Sequence, residues 1–284
     1  MNGEETYLIS ELNGCLGELK ALINTKNEGK RRVQRALSTY DGDGKLFEAL
    51  TLFRLKLLFD EYGIETRICQ SDGSSSSSFV LRGAPGKLTR ERFDERELAN
   101  PGYIEIRLQD GPVELHNSVE WPDRLVGYGV VHELDISIAE TSACNALASW
   151  YGLDLGEKSR LSPEHVPLFG MEIKFHQDVA TKALGREMTG LSYTTCPMMF
   201  VLGTSAPVTK VVSAQIASLP RMSRRGVRAS RCISLWDYDE KKSRPWPDDF
   251  VRDFIELWTQ RQRERHRTIH GENREKVEKV KSRI

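Results

Sequence analysis

The chain has 284 residues, of which 39% are hydrophobic and 29% charged, with 41 basic and 41 acidic side chains. This length corresponds to one large domain or two small ones, and the composition excludes both wholesale disorder and a histone-like protein that binds nucleic acid through overall charge. The apolar runs are far shorter than the about 20 residues that span a bilayer, and residues 1–14 do not resemble a secretory signal, so a cytoplasmic protein without membrane contact is expected.

The first predicted element is an amphipathic helix over residues 5–26, in which leucine and isoleucine recur every three or four residues. A basic, turn-rich connection follows, and Asp43-Gly44 begins a second helix with apolar positions from Leu46 to Phe59. This helix is predicted to end at Tyr62-Gly63, because glycine is suited to a C-cap.

Alternation of apolar and polar residues predicts a series of strands after this helix. The predicted strands cover residues 64–68, 79–81, 103–108, 113–121, 132–138, 170–175, 198–202 and 230–236. Further helices are predicted over residues 145–151, 208–219 and 250–267, and the charged tail after Gly271 is predicted to be a solvated or frayed helix. The pattern indicates an α/β fold with a mixed sheet.

The five cysteines are widely separated, and they form neither a CxxC pair nor a Cys-His cluster with the spacing of a zinc site. They are Cys15, Cys69, Cys144, Cys196 and Cys232. The pattern predicts buried free thiols rather than redox chemistry.

Charged residues concentrate on two of the predicted strands. Alternation places Glu133 and Asp135 on one face of the first strand, and it places Glu172, Lys174 and His176 on one face of the second. Because a charged side chain is costly to bury alone, these faces require an ion, a counter-charge or solvent.

Two carboxylates and an ammonium at one point suit phosphodiester chemistry. Asp135 and Glu172 are hard oxygen ligands for Mg²⁺ or Mn²⁺, and the Ile173 carbonyl and water can complete the coordination. Lys174 can orient or help to deprotonate an attacking water, or stabilise charge on a phosphate. The alternative is a structural ion pair on a solvent-facing sheet.

Asp135 and the run Glu172-Ile173-Lys174, on consecutive strands after a helix that carries Glu48, resemble the PD-(D/E)xK nuclease superfamily. The resemblance covers roughly residues 41–220 and implies a restriction-endonuclease-like core, a central mixed sheet flanked by helices. It implies that Asp135 and Glu172 bind Mg²⁺, or Mn²⁺ in its place, that Lys174 is the catalytic lysine, and that Glu48 adds a further metal ligand. This chain departs from the family pattern in having no proline before Asp135 and in having an insertion between the two strands.

Some of these residues have a second interpretation. An acid near the start of a helix, such as Glu48, is also favoured by the helix dipole. Glu133 and His176 are expected to be accessory residues, and His132 to be accessory or structural, because metal-activated water needs no separate base.

Basic residues form a second candidate site, expected to contact the phosphates of nucleic acid. They are Arg221, Arg224, Arg225, Arg228 and Arg231. Another set, Arg261, Arg263, Arg265 and Arg267, is equally compatible with a solvated helix surface.

The sequence therefore predicts three parts: an N-terminal helical arm over residues 1–40, a nuclease-like α/β core over 41–245, and a C-terminal helix with a charged tail over 246–284. The expected function is Mg²⁺-dependent endonuclease cleavage of DNA, with double-stranded DNA as substrate, in restriction or in defence against phage and mobile elements. A homodimer through the arm, or a partner subunit, is a further expectation. The alternatives are a non-catalytic nucleic-acid or protein-binding module that retains the fold, and a nuclease that acts on RNA.

Overall fold

The computed structural model describes residues 42–76, 79–82, 85–91, 101–126, 129–158, 166–174, 182–204, 208–222, 227–234 and 249–281. The chain divides into two compact units, and the boundary lies between Pro247 and Asp248. The N-terminal arm predicted over residues 1–40 lies outside the described residues.

The first unit alternates helices with the strands of one sheet. In chain order its elements are α1 (Gly42–Glu61), β1 (Thr66–Cys69), β2 (Tyr103–Leu108), β3 (Gly111–Pro122), β4 (Val131–Glu140), α2 (Thr141–Tyr151), α3 (Leu155–Lys158), β5 (Phe169–Lys174), α4 (Lys182–Thr195), β6 (Met199–Thr204), α5 (Lys210–Met222) and β7 (Ala229–Ser234). The second unit contains helix α6 (Asp249–Lys281).

The seven described strands lie in the sheet in the same order as in the chain. Neighbouring strands from β1 to β5 are antiparallel, whereas β5, β6 and β7 are parallel. Parallel neighbours need a crossover connection, and helices α4 and α5 supply the two connections. The predicted α/β fold with a mixed sheet is confirmed.

Helix α1 has the central position that its apolar sequence predicts. Leu52, Leu55 and Phe59 are each fully buried, and burial of a side chain of this size contributes roughly 1.5–3 kcal/mol. The helix ends where the sequence predicts, since Gly63 has a φ of 74°, a left-handed conformation that glycine adopts without strain.

One predicted strand is wrong, and two helices, α3 and α4, were not predicted. Residues 79–81 are not in a strand, and the chain is held there by Arg82, whose backbone N–H and guanidinium both bond to Asn117 on β3. Helix α4 lies in a stretch for which no element was predicted. Helix α6 continues past Gly271 to Lys281 as a regular helix.

One apolar cluster of the first unit joins the sheet to the crossover helices. Val119, Trp121 and Leu134 from the sheet are fully buried in one cluster with Met188 of α4 and Ile216 of α5. This packing holds β4, the strand that carries Asp135. Among the described helices, none combines the length and the apolar character needed to cross a bilayer.

Candidate active site

Strands β4 and β5 bring Asp135 and Glu172 together. Their antiparallel register pairs Ile136 with Met171, so the next step along both strands places Asp135 opposite Glu172. At this step the Asp135 carboxylate accepts a hydrogen bond from the backbone N–H of Ile173, with 2.7 Å between Oδ2 and N. Asp135 and Glu172 are each only 8% exposed. The two predicted metal ligands thus share one buried position in the sheet.

The regular alternation of β4 is interrupted at this position. A Cβ atom at Gly170 would lie 2.8 Å from Cδ1 of Leu134, so Leu134 packs against Gly170. Gly170 pairs with Ser137, so a Cβ atom at Gly170 would lie on the same face of the sheet as the Ser137 side chain. Strict alternation would turn Leu134 to the opposite face, yet Leu134 packs on this one. On β3, Ser118 stands opposite Asp135 in the register and has a φ of 48°. Asp135 therefore lies at a local distortion of two strands, and its carboxylate reaches the backbone of β5.

Burial and mutual repulsion weaken the acidity of the clustered carboxyl groups. Burial raises the pKa of Asp135 well above its ordinary value, and the negative charges of Glu172 and Glu48 raise it further. Burial likewise raises the pKa of Glu172 to about 7, although the neighbouring Lys174 opposes this change. A position that holds several buried carboxyl groups against their repulsion favours the binding of a cation.

Helix α1 contributes a third carboxylate, Glu48, which is held by two polar neighbours. The Lys45 ammonium donates hydrogen bonds to Oε2 of Glu48 at 2.8 Å and to Oγ of Ser118 at 3.0 Å. The Ser118 hydroxyl in turn donates to Oε2 of Glu48 at 3.3 Å. Burial raises the pKa of Glu48 even though Lys45 lowers it. Glu48 thus faces the strand distortion, close enough to Asp135 for its charge to act on that carboxyl group.

Lys174 places a second positive charge at the site, beside Glu172. Its ammonium donates a hydrogen bond to Oε1 of Glu172 at 2.8 Å and lies 3.5 Å from Oε1 of Glu187 on α4. Burial lowers the pKa of Lys174, but the charge and hydrogen bond of Glu172 outweigh burial and raise it overall. The group therefore remains a cation at neutral pH.

The predicted accessory residues lie in different surroundings. Oε1 of Glu133 lies 3.9 Å from the Lys45 ammonium, and its charge contributes to the raised pKa of Asp135. Glu133 therefore lies at the rim of the site. His132 instead contacts Asp123, with 2.6 Å between Nε2 and Oδ2. His176 lies outside the described residues.

The structure describes three of the five arginines predicted to contact nucleic acid. Arg221 is exposed in the last turn of α5, Arg228 is exposed just before β7, and Arg231 is partly buried in β7. The other two, Arg224 and Arg225, lie outside the described residues. The described arginines thus lie in the α5 to β7 region, whereas the carboxylates meet at β4 and β5.

Three residues of the site were missed by the sequence analysis. Lys45 could have been found, because it precedes Glu48 by one helical turn on the same face. Ser118 and Glu187 could not, because their contacts with the site depend on long-range pairing of β3 and on the packing of α4. Comparison with protein-family models, with curated proteins and with solved structures finds no match to this chain.

Proposed function

We propose that this chain is a metal-dependent nuclease with a restriction-endonuclease-like core and that it hydrolyses phosphodiester bonds of DNA. One observation carries the proposal. Asp135 and Glu172 meet across two neighbouring strands, and Lys174 is hydrogen-bonded to Glu172 from the same strand. This is the residue pattern that resembles the PD-(D/E)xK superfamily.

The order of elements around these residues supports the proposal. Helix α1 carries Glu48, strands β3, β4 and β5 follow, and helix α4 then leads to β6. The second strand of this series carries Asp135, and the third carries Glu172 and Lys174, which is the order expected from the resemblance. Strands β1 and β2 are additions at one edge, and helices α2 and α3 form the insertion between β4 and β5.

The donor set fits a hard divalent cation. Glu48, Asp135 and Glu172 offer carboxylate oxygens, which Mg²⁺ and Mn²⁺ prefer, and a bound cation would relieve the repulsion that raises their pKa values. When bound, the ion would supply Lewis-acid stabilisation of a phosphodiester under attack by water.

The residues of the chain then have separate roles. The Lys174 ammonium, held by Glu172, orients the attacking water or stabilises negative charge that develops on the phosphate. Lys45 and Ser118 are positioning residues, because they fix the Glu48 carboxylate and touch no reacting atom. Arg221 and Arg228 are suited to contacts with phosphates, which hold nucleic acid without reading its sequence.

The test is a cleavage assay on three substrates. Wild-type protein and the Lys174→Ala and Asp135→Ala variants are incubated with supercoiled plasmid, single-stranded DNA and RNA, in Mg²⁺, Mn²⁺ or EDTA. The exposed Lys210 gives a matched control, Lys210→Ala. We expect metal-dependent cleavage of DNA by the wild type and the control, and a loss of at least about 100-fold in both site variants. Full Mg²⁺-dependent cleavage by either site variant would refute the assignment.

A second candidate function has its own supporting observation. Lys45 pairs with Glu48 and Lys174 pairs with Glu172, so the ion pairs partly neutralise the cluster without any metal. This arrangement also suits a non-catalytic binding module that retains the fold. Calorimetric titration with Mn²⁺ distinguishes the two, because the module would show no binding that depends on Asp135. Preferential cleavage of RNA in the assay above would instead identify an RNA nuclease.

A further inference from the structure

A second cluster of chemically active side chains shares no residue with the proposed nuclease site. Glu114 and His116 are two residues apart on β3, and Cys144 lies in the first turns of α2. Their exposed fractions are 0%, 3% and 0%, so all three are buried. Oε2 of Glu114 lies 2.9 Å from Nε2 of His116, and Sγ of Cys144 lies 3.7 Å from the same nitrogen.

The two contacts converge on one ring nitrogen, and this convergence decides between two chemistries. In a catalytic triad the acid and the nucleophile bond to opposite nitrogens of the histidine, because one orients the ring and the other gives up its proton. Here the carboxylate and the sulfur approach the same nitrogen, and all three atoms lie within 4.8 Å of one another. Such a group surrounds a common point, as the ligands of a metal ion do.

The distances and donor types suit zinc. Zinc binds sulfur at about 2.3 Å and nitrogen or oxygen at about 2.0–2.2 Å, so tetrahedral ligands are about 3–4 Å apart. The separations from Nε2 of His116 to Oε2 of Glu114, 2.9 Å, and to Sγ of Cys144, 3.7 Å, lie close to this range. Thiolate and imidazole favour zinc over magnesium, which selects oxygen alone.

The surroundings can balance the charge of a divalent ion. Arg90 donates to both oxygens of Glu114 at 2.8 Å, and Glu140 lies close enough to Cys144 to act on it electrostatically. The anions of Glu114, Glu140 and a Cys144 thiolate together balance the charges of Arg90 and a divalent ion. Burial and the negative charge of Glu114 raise the pKa of Cys144 well above its ordinary value, so the charge of the bound ion itself would have to stabilise the thiolate.

An unused polar atom lies beside the cluster. Ser137 pairs with His116 across β3 and β4 and is fully buried. Within the part of the chain that the structure describes, its Oγ has no hydrogen-bond partner. Opposite residues of an antiparallel pair lie about 5 Å apart at Cβ, so the Ser137 hydroxyl lies near His116. It can bind the ion itself or hydrogen-bond to a fourth ligand of the ion.

We propose that Glu114, His116 and Cys144 form a buried zinc site that ties strand β3 to helix α2. The site is independent of the proposed nuclease centre, because its donors include sulfur and nitrogen and its residues are different. Zinc would enter during folding, since all three ligand side chains are buried in the native protein.

The test measures metal content and a spectroscopic signature. Wild-type protein, purified without a metal-affinity tag, is analysed for bound metals, and protein produced in cobalt medium is examined for the near-ultraviolet charge-transfer band of cobalt bound to thiolate. We expect one zinc per chain, and a cobalt band that the Cys144→Ser and His116→Asn variants lose with at least about a tenfold drop in metal content. Cys232→Ser is the matched control, because Cys232 lies on the distant strand β7.

The controls separate this proposal from the nuclease assignment. Asp135→Ala must keep both the zinc and the cobalt band, whatever happens to cleavage. Folded wild-type protein without bound zinc and without the cobalt band would overturn the proposal. A band that persists in Cys144→Ser would also overturn it. If that variant does not fold, the wild-type spectrum alone decides, since cobalt without a thiolate ligand gives no such band.

Discussion

Replacing Glu172 with glutamine is expected to stabilise the metal-free protein while it abolishes cleavage. Glutamine keeps the size of the side chain and an oxygen that can accept the hydrogen bond from Lys174. It removes the carboxylate whose burial raises its pKa. A buried group that is costly to ionise is retained for function, so its loss should improve the stability of the fold.

The magnitude follows from the two pKa values of Glu172. The folded-state pKa is about 7 and the ordinary value is 4.5. The folded state therefore binds more protons than the unfolded state between these values, and the stability contributed by the protonated group is lost as the pH rises through about 7. A difference of about 2.5 units corresponds to about 3 kcal/mol, which is the largest gain expected for Glu172→Gln above neutral pH.

The assay is urea unfolding of both proteins in EDTA at a series of pH values from about 5.5 to about 8. The quantity of interest is the difference between wild type and variant, because the buried His116, whose pKa burial lowers, affects both proteins equally. This difference should grow by about 2 kcal/mol across the range. A difference that stays constant, or a variant less stable than wild type at the upper end, would refute the reasoning.

The same urea unfolding is then repeated in Mg²⁺ instead of EDTA. The ion should stabilise wild-type protein by mass action and should stabilise Glu172→Gln much less. The control is Glu187→Gln, which changes an acid whose side chain is 58% exposed and 3.5 Å from Lys174. Its stability should change by less than about 0.5 kcal/mol in either condition.

Substitutions at three further positions test the packing and the strand distortion. Gly102→Ala should lower the free energy of unfolding by about 1–3 kcal/mol, because a Cβ atom there would lie 2.5 Å from the Cys69 carbonyl oxygen. Gly190→Ala, in open space on helix α4, should raise it by about 0.5–1 kcal/mol, and equal melting temperatures for the two variants would contradict this contrast. Ser118→Gly should be more stable than Ser118→Ala by about 1 kcal/mol, because the φ of 48° suits glycine, whereas both should cleave more slowly since Lys45 loses a hydroxyl acceptor.

The elements that the sequence predicts well are those in which local pattern and final burial agree. Strand β2 has the bounds predicted from its alternation, and α1 ends at its predicted glycine. Helix α4 escaped prediction because Gly185 and Gly190 weaken its helical pattern. Gly185 is explained only by the fold, since a Cβ atom there would lie 1.8 Å from Oε1 of Gln215 on α5.

Residues 79–81 show the opposite error, because a strand was predicted there and none is present. Phe79-Val80-Leu81 has strong β propensity, but a strand needs a continuous ladder of backbone hydrogen bonds with a neighbour. Instead, the segment is fixed by single contacts, such as the bond from the Gly102 N–H to the Val80 carbonyl and the exchange between Arg82 and Asn117. Propensity describes the residue, and the neighbouring chain decides whether a ladder forms.

The candidate site was predicted from alternation, yet alternation fails at its centre. Period-two spacing correctly grouped Glu172 with Lys174, which share a hydrogen bond. The same spacing identified Asp135 as a site residue but did not predict its contact with the backbone of β5. That contact depends on the distortion at Ser118 and Leu134, which the sequence pattern does not show. Departures from regular geometry are common at functional sites, where the surrounding structure holds a residue in a strained conformation.

The two proposed metal sites can be told apart because their donor atoms differ in softness. The nuclease centre offers carboxylates, and the cluster of Glu114, His116 and Cys144 adds nitrogen and sulfur. A magnesium titration should therefore act on the first site and leave the second unchanged, whereas cobalt incorporated during expression should report the second through its thiolate band. If one site fails its test, the other keeps its support, because no residue that binds metal in either proposal belongs to both.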